Sequence, residues 1–284
     1  MTLLHTNIVP ENNLRLPDAL TIKHGPARLL APFVLEGDKA TRQLGIRLRL
    51  RHDFHELVYL NRQQVDRGTW FRLVDHLNPE YSDLTPENSY WISGENERGE
   101  IVLTQAGRVY DWPHTNLENE ARSMFYAGHE EGRGCVITAQ DAKLITGVAF
   151  IGGARWTRPD YRAVPPSRLL SRLGRAYAFA RWPIDWAFAF MAPVLVKKGV
   201  AAAYGYPHAS HSIFFPESPW GDLEVVLTSA SAAEAYDDLA NFLMTELSAL
   251  EDSGSRVTPS SSIFDDRVTK TSSDGVLQGS SSLS

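Results

Sequence analysis

A short basic segment, DYRAVPPSRLL at residues 160–170, is the part of the chain best suited to bind a negative charge. It follows the apolar run GVAFIGGARW and leads into SRLLSRLGRAYAFA, whose apolar spacing predicts a helix. A strand, a tight loop and a helix start often bind anions, because N–H groups at a helix N-terminus point at the ligand and the helix dipole attracts its charge. Pro165 and Pro166 have no backbone N–H, so they remove two of those donors.

Arginine is concentrated around this loop. Seven arginines and one acid, Asp160, lie between residues 155 and 181, inside a chain whose formal net charge is -6. Arg168, Arg172 and Arg175 fall at i, i+4 and i+7, on one face of the predicted helix. Such a face can hold a phosphate by its side chains, or dock an acidic partner protein. The alternative is a solvated helix face opposite the leucines of the same helix.

The histidines and the one cysteine do not form a recognisable metal or nucleophile motif. His52 and His55 in HDFHE lack the helix spacing that zinc hydrolases use. His208 and His211 are three residues apart and would face opposite sides of a strand. We therefore expect no metal. Cys135 cannot form an internal disulfide and is expected to be a buried structural thiol.

Length, charge and hydropathy define the broad class. The chain has 284 residues, 43% of them hydrophobic, which is enough for one large domain. The acidic balance argues against nucleic-acid binding. The start of the chain lacks a secretory signal, and the longest apolar stretch, residues 186–196, is too short to cross a bilayer about 30 Å thick. We expect a soluble cytoplasmic protein with no membrane contact.

Strand and helix patterns place this loop inside one domain. Residues 1–43 have weak periodicity, and we expect them to form an N-terminal arm or edge addition. Residues 251–284 are rich in serine, and we expect them to form a disordered tail. Between them, residues 44–250 predict a strand, two helices, a hairpin, a helix, a strand, the basic loop with its helix, a strand, a short helix, two strands and a closing helix. The segments behind this order are GIRLRLR, FHELVYLNRQQV, TWFRLVDHL, YWISGENERGEIVLTQAGRVYDW, NLENEARSMFYA, LITGVAFIGGARW, DWAFAFM, PVLVKKG, AAAYGYPHASHSIFF, DLEVVLTSA and SAAEAYDDLANFLMTEL. A strand–loop–helix–strand unit predicts an α/β (α+β) fold with a parallel or mixed sheet covered by helices.

This order resembles the GNAT superfamily of N-acyltransferases over roughly residues 44–230. The resemblance is carried by ARWTRPDYRAVPPSRLLSRLGRAYAFA, in which Pro159, Tyr161 and Arg162 match the family's Pro-x-Tyr-Arg-like segment after a central strand. The family then has a glycine-rich loop, and Pro165 and Ser167 stand at its two glycine positions here. The resemblance implies a GNAT-like mixed sheet with helices on both faces.

The resemblance also implies a donor and its site. An acyl-CoA, with acetyl-CoA the expected case, would bind along the central strand and the loop, and its acyl group would pass to an amine. The backbone of the strand would line the pantetheine arm, and the loop would lie by the phosphates. The residues so implicated are Ala154, Arg155, Trp156, Arg162, Ala163, Val164, Ser167 and Arg168.

Proton transfer is the least determined part of the reaction. Many members of the family place a tyrosine four residues before a late glycine, and Leu195 stands at that position before Gly199. Candidates to replace this acid are Tyr204, Tyr206 and His208. Candidate general bases are Glu95, Glu100, His208 and His211. Each of them has an ordinary surface or packing role as the alternative.

Two other functions remain open from the sequence. The missing tyrosine and the proline-filled loop are compatible with a catalytically inactive GNAT-like module that binds or regulates a partner. The arginine-rich helix is compatible with a variant that takes its acyl group from an acyl-carrier protein. In every active case the acceptor is an amine of a small molecule or a protein.

Overall fold

The computed structural model describes residues 13–125, 135–162, 166–218 and 221–247. The strands are β1 (Leu14–Arg15), β2 (Arg47–Arg51), β3 (Ser89–Glu95), β4 (Ile101–Trp112), β5 (Val136–Ile137), β6 (Gly147–Thr157), β7 (Trp186–Met191), β8 (His208–Ser218) and β9 (Gly221–Ser231). The helices are α1 (Ala27–Gln43), α2 (Phe54–Asp66), α3 (Leu117–Phe125), α4 (Pro166–Arg181), α5 (Pro193–Lys197), α6 (Val200–Ala203) and α7 (Ala232–Phe242). A single 3-10 turn at Pro159–Tyr161 precedes α4, and a π-helical turn at Leu243–Leu247 follows α7.

One mixed sheet contains all of these strands. Its order is β1-β2-β3-β4-β6-β7-β9-β8-β5, and each neighbouring pair is antiparallel except β6 and β7, which are parallel. Helices α1, α4 and α7 pack in one hydrophobic cluster, and α2 and α3 contribute to two others. The predicted fold class, a mixed α/β sheet with helices on both faces, is confirmed.

The central strand β6 shows how the alternating sequence serves both layers. Phe150 packs in the cluster with α1, α4 and α7, whereas its neighbours Ala149 and Ile151 pack in the cluster with α3. Side chains of successive strand residues point to opposite faces of the sheet, so one strand can contribute side chains to two hydrophobic clusters. Because both faces are covered, β6 reads as a continuous apolar run in the sequence.

The expected N-terminal arm is in part a core helix, which corrects the prediction. Residues 1–12 lie outside the described residues, and β1 does pair with β2 at the edge of the sheet. Helix α1, however, buries Leu30, Phe33 and Val34 completely. Pro32 interrupts the sequence pattern and costs one backbone hydrogen bond inside the helix, and the burial of these side chains outweighs that loss.

Two further segments differ from prediction. TWFRLVDHL was expected to be helical, yet only Asp75–Leu77 forms a 3-10 turn. The side chain of Asn61 in α2 donates to the carbonyl of Phe71 at 2.8 Å and accepts from the N–H of Leu73 at 3.1 Å, so it satisfies groups that a helix would have paired. AAAYGYPHASHSIFF begins as the short helix α6, and its strand starts only at His208.

The remaining elements agree with prediction. Helices α2, α3 and α4, the β3–β4 hairpin, the strands β6 and β7 and the closing helix α7 form where the sequence patterns indicate. The expected disordered tail at 251–284 lies outside the described residues. The basic loop therefore leaves the end of a central strand and enters a helix that packs on the sheet.

The contact of α1 with α4 gives a stability test at Gly37. A Cβ at Gly37 would lie 2.7 Å from a methyl carbon of buried Leu173, whereas a Cβ at Gly174, within α4, would meet Gln105 at an ordinary 3.4 Å. Alanine gains about 1 kcal/mol of helix propensity at either position, and overpacking costs about 1–3 kcal/mol. We expect Gly37→Ala to lower the free energy of unfolding in urea titrations, and Gly174→Ala to leave it unchanged or raise it. Equal responses of the two variants would contradict this packing.

Candidate functional site

Strands β6 and β7 separate part of the way along their length. Their pairing joins Ala149–Ile151 to Trp186–Phe188 and covers no later residue. Beyond these pairs, β6 stays paired with β4 to Thr157, and β7 stays paired with β9 to Met191. The two strands thus keep their outer neighbours while they part from each other. We call the opening that begins at Gly152 the wedge.

A β-bulge in β6 determines which side chains face the wedge. The register with β4 shifts between Thr104, opposite Trp156, and Ala106, opposite Gly153. Within the bulge Ala154 has φ 49°, a left-handed conformation that is uncommon for a residue other than glycine. The hydroxyl of buried Thr104 donates to the carbonyl of Ala154 at 2.8 Å. The bulge is therefore held by a buried hydrogen bond.

The bulge sends Arg155 and Trp156 to different neighbours. The indole of Trp156 is buried and stacks on Trp70, with 5.6 Å between ring centres. The guanidinium of Arg155 lies 4.0 Å from the ring centre of Tyr204. Its Nη2 atom is buried and has no hydrogen-bond partner within the part of the chain that the structure describes. Burial lowers the pKa of Arg155, and the positive charge of Arg172 adds to that effect.

The predicted arginine face of α4 is not a surface, which corrects both the phosphate-patch and the partner-docking interpretations of it. Arg172 is 5% exposed and Arg175 is completely buried. Arg172 donates to both carboxylate oxygens of Asp238 in α7, at 2.9 and 2.7 Å, and Arg175 donates to the same carboxylate at 3.0 Å. Of the three arginines at helical spacing, Arg168 alone is exposed. The basis for docking an acyl-carrier protein on this face is therefore lost.

Backbone carbonyls complete the contacts of the two buried arginines. Arg172 donates to the carbonyl of Ala203 at 2.9 Å, and Arg175 donates to those of Tyr204 at 2.6 Å and Gly205 at 2.8 Å. These contacts fasten the segment between α6 and β8 to α4. They also place two tyrosines, Tyr204 and Tyr206, beside the arginines.

Two polar side chains approach the backbone closely at the start of the wedge. A Cβ on Gly152 would be 3.2 Å from Nε2 of Gln105 and 3.5 Å from the hydroxyl of Tyr206. Both side chains are buried, and the guanidinium of Arg175 lies 4.7 Å from the Tyr206 ring centre. Burial raises the pKa of Tyr206, although Arg175 and Arg155 act in the opposite direction. Tyr206 therefore keeps its proton at neutral pH.

The predicted donor residues are divided between the wedge and the loop. Ala154, Arg155 and Trp156 lie at the bulge, whereas Arg162 is exposed before α4 and donates to the carbonyls of Thr157 and Thr69 at 3.4 and 3.3 Å. Ser167 and Arg168 lie in the first turn of α4, and Arg168 faces Glu246 at 3.4 Å. Ala163, Val164 and Pro165 lie outside the described residues.

The two candidate carboxylates are held by arginines away from the wedge. Glu95 accepts from Arg49 at 2.9 Å and from Arg51 at 2.6 Å. Glu100 follows the turn between β3 and β4, and hydrogen bonds from Asn96 and Arg158 lower its pKa. A base must be free to accept a proton near the working pH, so these contacts do not favour either residue in that role.

The other proton-transfer candidates are also placed. His208 pairs with Glu234 at 2.7 Å on the exposed side of β8, and the side chain of His211 lies outside the described part of the structure. Tyr204 covers Arg155, and Leu195 is exposed in α5. Tyr206 is the candidate whose hydroxyl lies at the wedge. The partners Gln105 and Asp238 had no sequence signal, because their roles depend on contacts between distant elements.

Neither a metal-ligand cluster nor a membrane-spanning helix is found within the described ranges. No group of three or more His, Cys, Asp or Glu residues in those ranges could hold a metal ion. None of the helices there is long and apolar enough to cross a membrane.

Comparisons with known proteins found similarity among solved structures. No family model and no curated protein matches the chain. An aminoglycoside acetyltransferase, AAC(6')-Ib, in complex with coenzyme A and kanamycin is 14% identical and has a TM-score of 0.37, covering 70% of this chain and 98% of that one. The GNAT domain of S. lividans PAT is 16% identical with a TM-score of 0.37, covering 65% and 90%. An uncharacterized protein from Bacillus halodurans is 13% identical with a TM-score of 0.40, covering 72% and 93%.

The shared carboxylate of Asp238 gives a test of the buried ion pairs. Asp238→Asn leaves Arg172 and Arg175 buried without their anion, and we expect it to lower the free energy of unfolding by about 3 kcal/mol. Glu246→Gln is the matched control, because its pair with Arg168 is half exposed and should contribute less than about 1 kcal/mol. Urea unfolding with intrinsic tryptophan fluorescence measures both. A loss below 1 kcal/mol for Asp238→Asn would show that the arginines do not depend on it.

Proposed function

We propose that this chain is an N-acyltransferase that moves an acyl group from an acyl-CoA to an amine by direct attack. The observation that carries the proposal is the parting of β6 from β7 beyond Ile151 and Phe188. Backbone N–H and C=O groups along the parted edges need partners. The pantetheine arm of coenzyme A is an extended chain with two amides, and it can supply them as an added strand would.

The phosphates of the donor belong at the start of α4 in this proposal. The helix begins at Pro166, directly after the loop, and presents Ser167 in its first turn. Pro165 and Pro166 provide no N–H donors, so the charged side chains of Arg162 and Arg168 take the larger share of the interaction. Both are exposed, and their present hydrogen bonds, two for Arg162 and one to Glu246 for Arg168, are long, at 3.3–3.4 Å.

Tyr206 is the residue we propose as the proton donor. The nitrogen of a neutral amine attacks the thioester carbonyl carbon, the carbon–sulfur bond breaks, and the sulfur leaves as a thiolate. The Tyr206 hydroxyl gives its proton to that thiolate, and the acceptor nitrogen loses its proton to solvent. The raised pKa of Tyr206 keeps its hydroxyl protonated before the transfer. The nearby Arg155 and Arg175 stabilise the phenolate that forms.

A catalytically inactive binding module is the second candidate. It is favoured by the way Tyr204 and Tyr206 pack beside the wedge and by Leu195 at the position of the family's usual acid. Binding of an acyl-CoA without turnover for any tested amine would support it. The first proposal also includes the acceptor, which is an amine of a small molecule or a protein, and acetyl as the natural acyl group. The same turnover assay tests both.

Donor binding tests the position of the phosphates. We expect acetyl-CoA to bind in calorimetry, and Arg162→Ala and Arg168→Ala each to weaken it about 3- to 10-fold, because each removes one exposed charged contact of about 1 kcal/mol. Arg42→Ala, which alters an exposed arginine on α1 paired with Asp38, should leave the affinity unchanged. If no acyl-CoA binds, the coenzyme interpretation is wrong.

Turnover tests Tyr206. We expect Tyr206→Phe to lower kcat about 100-fold while the donor affinity changes little, since proton transfer contributes roughly 10²–10⁴ in rate. Tyr59→Phe, on the exposed side of α2, is the control. The pKa of Tyr206 lies above its usual value of 10, so the wild-type rate should not fall through loss of this proton below about pH 10. An unchanged kcat in Tyr206→Phe would remove it as the acid.

A further inference from the structure

The interior beside the wedge holds more positive than negative charge. Arg155, Arg172 and Arg175 form what we call the arginine cluster; Arg172 and Arg175 are buried, whereas Arg155 is partly exposed and has a buried Nη2 atom. Asp238 is the one carboxylate bound to the cluster among the described residues, and it serves Arg172 and Arg175. Three cations against one bound anion leave an excess of two positive charges in the cluster as far as the described residues go.

The positive charge of Arg155 has no bound carboxylate among the described residues. The carbonyls of residues 203–205 and Asp238 engage Arg172 and Arg175. Arg155 instead lies on the face of Tyr204, and its Nη2 has no hydrogen-bond partner within the described residues. A guanidinium does not give up its proton at accessible pH, so it cannot neutralise itself as a buried lysine or histidine would. The buried Nη2 group of Arg155 is thus a charged donor that lacks an acceptor among the described residues, and an anionic ligand would supply one.

The surroundings of Arg155 select the kind of anion. Two other donors lie beside Gly152 at the wedge: the hydroxyl of Tyr206, and the amide nitrogen of Gln105, one hydrogen of which goes to the carbonyl of Ala106 at 3.1 Å. Donors and a planar guanidinium match a carboxylate, which accepts in two directions. In the proposed function the phosphates of the donor bind at the exposed start of α4, and therefore they do not contact Arg155.

We propose that Arg155 binds a carboxylate carried by a reactant, and that this carboxylate ends the acyl chain of a dicarboxylic acyl-CoA. The inference rests on the proposed function and names its substrate class, with a dicarboxylic acyl group in place of the acetyl group expected there. The acyl chain is one source of the carboxylate, and an amino-acid acceptor is the other. Both sources share the same chemistry at Arg155, and the experiments separate them.

The first experiment tests the carboxylate site without coenzyme. Thermal unfolding is followed in sodium acetate and in sodium chloride of equal ionic strength. We expect acetate to raise Tm by about 3 °C in the wild type, because a ligand that binds only the folded state stabilises it. Arg155→Gln should abolish the difference, and Arg42→Gln should retain it. Arg155→Met, which keeps the aliphatic bulk, replaces the glutamine variant if that one does not fold. Equal acetate responses in wild type and the Arg155 variant would overturn the inference.

The second experiment identifies the source of the carboxylate. Calorimetry compares succinyl-CoA with butyryl-CoA, whose four-carbon chains differ in ending with a carboxylate or a methyl group. We expect succinyl-CoA to bind at least about 10-fold more tightly, and the preference to disappear in Arg155→Gln. Equal affinities together with a positive acetate test would overturn the acyl-chain assignment and place the carboxylate on the acceptor. If neither thioester binds, the proposed function fails, while the acetate test still decides whether Arg155 holds a carboxylate.

Discussion

The fold depends on where the hydrogen bonds between two parallel central strands stop. Strands β6 and β7 pair for a short stretch, and then each keeps only its outer neighbour. The bulge at Ala154 sits in the part of β6 that has left β7, and Thr104 holds it from the β4 side. Bulges bend a strand and increase its local twist. The sheet therefore stays hydrogen-bonded on the outer sides of β6 and β7 while these two strands separate from each other. The helices that pack on the sheet must fill or border the opening between them.

The arginine cluster links this opening to the end of the chain. Asp238 lies on α7, and its carboxylate reaches two arginines of α4. The start of α7 is fixed by a capping box in which Ser231 accepts from the N–H of Glu234 and the Glu234 carboxylate accepts from the N–H of Ser231. Glu234 also pairs with His208 at the start of β8. The position of α7 thus depends on a cap, a contact with His208 and the partly buried carboxylate of Asp238, and the geometry beside the wedge depends on α7.

Sequence patterns predicted the elements of the site better than their environment. The apolar run of β6, the loop and helix α4 were visible because strand and helix periodicities are local properties. The spacing of Arg172 and Arg175 shows that they share a helix face, but it does not show what covers that face. The cover is Asp238, more than sixty residues later, so helical spacing alone led to a surface that does not exist. Pro32 concealed α1 in the same way, because a local irregularity was outweighed by packing against distant elements.

A partly exposed arginine with a buried, unpaired Nη2 atom is difficult to explain as a contribution to stability. The contact of Arg155 with Tyr204 returns about 2 kcal/mol at most, whereas removing an isolated ion from water costs several kcal/mol. An apolar side chain of similar size would pack in the same place without that cost. A guanidinium fixed in advance has a different advantage, because it meets an incoming negative charge without reorganising. The free protein would then bear the desolvation cost of Nη2, and binding of the proposed carboxylate would recover it.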